Sequence, residues 1–65
     1  MHPAVEYRLR WFAYDHLPER LQKISKPFSE LAHKLSEELE GIEVTAALDK
    51  LWEAKNLAVV SAARK

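Results

Sequence analysis

Cysteine is absent from this chain and glycine occurs once, at Gly41. Without cysteine there is neither a disulfide framework nor a cysteine-rich zinc site, and the redox compartment leaves no mark on the composition. A single glycine cannot build a glycine-rich phosphate loop, and no nucleophile elbow is present. Net charge is missing too: ten basic and ten acidic residues cancel. The long-range field with which duplex-binding proteins gather phosphate is therefore lacking, and duplex nucleic acid is not an expected partner. Nor is there a long apolar run. The start, Met1-His2-Pro3-Ala4, meets Glu6 at once, unlike a secretory signal or an anchor, so no membrane association is expected and the cytoplasm is the default location.

What is there points to a small helical protein. Hydrophobic residues make up 48% and charged residues 31%, too apolar for a disordered tail and too charged for a bilayer span. A chain of 65 residues buries only about 60% of its unfolded surface and is marginal alone. With disulfides and a cysteine-rich metal site excluded, oligomerisation is the expected remedy.

Residues 1–16 form an N-terminal segment. From Val5 to Trp11 apolar residues alternate with Glu6, Arg8 and Arg10, which favours an extended stretch, although Val5, Leu9 and Phe12 also fit one helical face. A first helix is expected over 17–40, opened by Pro18 and Glu19. Its apolar stripe is Leu21, Ile24, Phe28, Leu31, Leu35 and Leu39, and it should be kinked at Pro27, whose ring removes one helical hydrogen bond. Gly41 ends it. A second helix is expected over 42–63, with Val44, Ala47, Leu48, Leu51, Ala54 and Ala58 as its apolar face. The short connection folds the pair into an antiparallel hairpin. Trp52 and Val59 lie towards another face and predict a second buried surface, supplied by a partner chain. The fold class is thus all-α: a two-helix hairpin with an extended or short helical N-terminal segment, assembled as an oligomer.

Catalytic chemistry is not expected. His2, His16 and His33 lack the paired helical spacing of metal ligands, and no His-Glu-x-x-His motif exists. The carboxylates Glu37, Glu38, Glu40 and Glu43 read as a solvated helix end. The stretch Tyr7–Pro18 interleaves rings and cations, a combination that can stack on bases and neutralise phosphate, or simply supply core.

The order Phe12-x-Tyr14-x-His16-x-Pro18, then Ile24 and Leu31-Ala32, then Glu43-x-Thr45-x-Ala47-Leu48-x-x-Leu51-x-Glu53-Ala54-Lys55 resembles the phage anti-CBASS sponges, whose helical hairpin is related to that of anti-Thoeris sponges. The likeness spans about residues 10–63. It implies a non-enzymatic, dimer-based homo-oligomer, a hexamer in that family, which sequesters cyclic dinucleotide second messengers and in some members cyclic trinucleotides. It needs no cofactor and works in the cytoplasm of the bacterial host. The family's stacking tyrosine falls on Tyr14, with Phe12 as a pocket wall. Its phosphate-contacting lysine falls on Ser29, so Arg20 or Lys26 is expected to substitute. Thr45 matches a small hydroxyl residue, whereas the arginine of the trinucleotide site falls on Ile42. The competing expectation is a hairpin that serves as a structural or regulatory protein-interaction module and binds no nucleotide.

Overall fold

Pro3, with φ pre-set and no N–H to satisfy, opens the first helix, and His2 Nδ1 caps it by accepting from the Ala4 N–H at 3.0 Å. The computed structural model describes residues 2–64, and three helices pack together in it, with no strand among the described residues. These are α1 (Pro3–Leu9), α2 (Glu19–Glu38) and α3 (Ile42–Ala63), with a 3₁₀ turn at Arg10–Phe12 following α1. The N-terminal segment is therefore short and helical up to Phe12. The alternation over Val5–Trp11 is not an extended strand. Val5, Leu9 and Phe12 share a helical face and turn inward, and that burial outweighs the modest preference of aromatic residues for pleated surfaces. Extended backbone begins only at Ala13, with φ −60° and ψ 139°.

The α2 helix starts at Glu19, two residues later than expected, because Pro18 is held at φ −54° and ψ 147° as its N-cap. The Pro18 carbonyl accepts from Leu21 and Gln22, and the Gln22 side-chain amide donates back to the Leu17 carbonyl at 2.8 Å, closing the loop onto the helix. Pro27 lies inside one continuous helix. The α3 helix spans the expected residues. Gly41 does not end α2, which stops at Glu38 with the extended Leu39 as its C-cap; Gly41 is instead the N-cap of α3, at φ +111°, and its carbonyl accepts from the Val44 N–H.

Val5, Phe12, Ala32, Val44 and Leu48 form the core, with Leu9, Trp11, Phe28, Leu51 and Trp52 packed around it. On both long helices the buried face overlaps the expected one only in part: Leu21, Val44 and Leu48 are buried as expected, and others are not. On α2 the buried positions are Leu21, Ser25, Ser29 and Ala32, while Ile24, Leu31 and Leu39 are exposed. At about 3.6 residues per turn, this face is rotated by about 70° from the apolar stripe. Small residues let the backbones of α2 and α3 approach closely, and the larger apolar side chains are left on the flank. On α3, Ala47 and Ala54 are exposed, and Val44, Leu48 and Lys55 are buried.

The second surface, at Trp52, is covered in part from within the chain. Trp11, in the 3₁₀ turn after α1, packs at a tilt against Trp52 with centroids 5.0 Å apart, and Tyr7 meets Trp11 edge-on at 5.5 Å. Arg8 lies 5.6 Å over the Trp11 ring and donates through Nε to Asp49 at 2.7 Å. The part-buried Arg8–Asp49 pair and the indole contact fasten the N-terminal segment to α3 and cover part of Trp52 from within the chain.

Candidate functional site

The six residues singled out for ligand contact do not converge within one chain. Phe12 is 0% exposed in the middle of the core, so it cannot wall a pocket without repacking. Ser29 is buried in the seam between α2 and α3. Thr45 lies at the turn end of the hairpin, where its hydroxyl donates to the Ile42 carbonyl at 2.8 Å. Arg20 is at the opposite end and donates through Nη1 to the Ala62 carbonyl at 2.9 Å, helping to cap α3. Lys26 is exposed on α2, one turn before Ser29.

Tyr14 is the exception among the aromatic residues of the N-terminal segment. Tyr7 and Trp11 are in ring pairs and Phe12 is enclosed, but Tyr14 sits half-buried in the extended loop. Among the described residues its ring joins no aromatic pair and its hydroxyl makes no hydrogen bond. Its backbone has a defined role, since the Leu17 N–H donates to the Tyr14 carbonyl at 3.0 Å and closes a turn over Asp15–His16. The loop leads directly into the basic start of α2, where Arg20, Lys23 and Lys26 are all exposed.

A groove of about 780 Å³ lies at the other end, where the start of α1 meets the hairpin turn. Its apolar lining includes Val5, Leu39, Ile42 and Val44, and Glu37 and Glu40 also line it. Thr45 is the one predicted ligand residue there. Two carboxylates so placed oppose a phosphate, so this groove does not suit the ligand that the cations at the far end suit. No group of three or more His, Cys, Asp or Glu among the described residues is arranged to hold a metal ion. Among the described residues no helix is long and apolar enough to cross a membrane.

Lys55 is the residue that pattern reading passed over. It is 9% exposed on the buried face of α3 and is in no ion pair among the described residues. On α2 the buried polar residues are Ser25 and Ser29, and among the described residues the Ser25 hydroxyl has no hydrogen-bond partner. The available signal was the spacing: Lys55 follows Leu48 by seven residues and so shares its face.

Burial desolvates the Lys55 ammonium and lowers its pKa below the ordinary 10.5. Between the lowered value and 10.5 the unfolded chain holds a proton that the folded chain releases, so folding stability rises with pH through that window. Lys55→Met removes this dependence while keeping the apolar stem. At neutral pH it should leave the fold at least as stable as the parent, with a gain of at most about 1 kcal/mol. Thermal melts of both proteins at fixed concentration from neutral to alkaline pH check this. A constant gap between them would show that Lys55 is not desolvated.

Comparison with protein-family models, curated proteins and solved structures finds no match to this chain.

Proposed function

We propose that this chain is a non-enzymatic binding protein that sequesters cyclic dinucleotides, with cyclic trinucleotides as a further ligand class, and so blocks anti-phage signalling in the cytoplasm of a bacterial host. Tyr14 carries the reading. It is a half-buried aromatic ring that joins no aromatic pair among the described residues, in a closed turn that leads along the chain to exposed cations. Such a ring can stack on a base while a neighbouring cation meets phosphate. Lys26 takes the phosphate role, because it is exposed and makes no hydrogen bond among the described residues, whereas one Arg20 nitrogen is already committed to Ala62.

One chain supplies one ring and one cation. A cyclic dinucleotide has two bases and two phosphates related by near-twofold symmetry, and two copies across a twofold supply the matching set. Binding is therefore assigned to an interface in a dimer-based homo-oligomer, for which the resemblance suggests a hexamer. Ser29 and Thr45 act as structural residues in this scheme and Phe12 as core.

The second reading is a protein-interaction module that binds no nucleotide. It draws on the burial of Phe12 and Ser29 and on the exposed apolar flank of α2. Calorimetry of the full chain against a panel of cyclic di- and trinucleotides, followed by heating to recover the ligand, separates the two. Stoichiometric binding with intact recovery supports sequestration. Degradation of the ligand points to an enzyme, and the absence of any binding leaves the interaction module. Under the first reading Tyr14→Ala weakens binding by about tenfold or more, the loss of one stacked base, with unchanged molecular mass. A fall in mass would instead make Tyr14 an assembly residue.

A further inference from the structure

The flank of α2 left open by the rotation of its buried face carries a definite order. Arg20, Ile24, Phe28, Leu31, Leu35 and Glu38 follow one another at spacings of four, four, three, four and three, which keeps them on one side of the helix. Ile24 and Leu31 are 36% and 43% exposed, and Phe28 and Leu35 are half-buried. A cation begins the row, an anion ends it, and four large apolar side chains lie between. On α3 the exposed Ala47 and Ala54 lie on the side of the helix away from Asp49, to which α1 is fastened.

The hairpin as a whole is polarised in the same sense. Residues 35–49, between Lys34 and Lys50, hold Glu37, Glu38, Glu40, Glu43 and Asp49 and no lysine or arginine, whereas towards the open end Arg20, Lys23, Lys26 and Arg64 outnumber Asp15 and Glu19. A row that reads basic, apolar, acidic complements itself only when a second copy runs antiparallel to it. Turn end then meets open end.

We propose that this face docks on the same face of a second copy about a twofold axis near the middle of α2. Ile24 meets the partner's Leu35, Phe28 meets the partner's Leu31, and Arg20 meets the partner's Glu38. The small side chains of α3 allow the two hairpins to close over the seam. This contact goes beyond the nucleotide reading and does not depend on it, since it forms without ligand.

Sedimentation velocity of the full chain without nucleotide, over a wide concentration range, is the test. A dimer or an even-numbered assembly is expected. Leu31→Glu should raise the dissociation constant by about tenfold or more with unchanged helical circular dichroism, because Leu31 is exposed in the single chain. Arg20→Glu and Glu38→Arg should each weaken association about threefold, and the double reversal should restore it to within about twofold. Arg20 and Glu38 are 18 residues apart, about 27 Å along one helix, so such a rescue can arise only between chains. A monomer at every concentration would overturn the proposal. So would an assembly indifferent to Leu31→Glu, or a double variant as weak as its two single losses combined.

Discussion

Replacing Phe12 with alanine leaves this chain largely unfolded at room temperature. The ring is fully enclosed by a core that includes Val5, Ala32, Val44 and Leu48, so its removal costs its transfer free energy and opens a cavity. The sum is about 3–5 kcal/mol. A core of this size seldom supplies more than about 3–5 kcal/mol of net stability, so the variant spends the whole margin. Association adds stability by mass action, and the experiment is therefore run at the lowest concentration that gives a signal. The cooperative thermal transition should be lost and far-ultraviolet ellipticity should fall. If Phe12→Ala instead melts within a few degrees of the parent protein, the ring is not a core residue, and its role as a pocket wall returns.

Gly41→Val is expected to cost about 3 kcal/mol. At φ +111° and ψ 169° the backbone occupies a region almost closed to side chains, and a β-branched residue is least able to adopt it. An added Cβ would also come within 2.8 Å of Glu43 Oε1. That second effect is small, because the Glu43 carboxylate is exposed and can swing away. The backbone therefore decides the outcome, and removing the carboxylate as well, with Glu43→Ala, should not rescue the variant. Urea denaturation of parent, single and double variants checks this through the midpoint at constant slope. Full rescue by Glu43→Ala would assign the cost to the contact rather than to the dihedral angle.

The hairpin was open to reading because its signals are local. Pro18 and Gly41 act on their own backbone, and so the start of α3 could be placed in advance, although Gly41 caps that start rather than ending α2. The buried faces were not, for a tertiary reason: two helices meet along the side that brings their axes closest, which on α2 is the side of Ser25, Ser29 and Ala32 rather than the side of greatest hydrophobicity. Counting apolar residues locates Ile24 and Leu31 correctly on one stripe but says nothing about whether that stripe faces inward. The same limit explains Trp52. Its spacing announced a second buried surface, but only the fold shows that Trp11 of the same chain covers part of it. For the candidate site, Tyr14 kept its place as an available ring, while Phe12 and Ser29 went into the interior and Arg20 and Thr45 to opposite ends. A linear motif cannot tell a ring that lines a pocket from one that closes a core.

The pairing of Trp11 with Trp52 has an optical consequence. These are the only two tryptophans in the chain, so its whole indole absorption comes from one contact between the 3₁₀ turn after α1 and α3. Two indoles 5.0 Å apart and tilted by 49° couple their electronic transitions and place both rings in an asymmetric setting. Tryptophan emission then responds to the docking of the N-terminal segment on α3 and to the core beneath it, while the far-ultraviolet signal follows all three helices. The chain thus carries a built-in label for the detachment of its N-terminal segment, readable without any chemical modification.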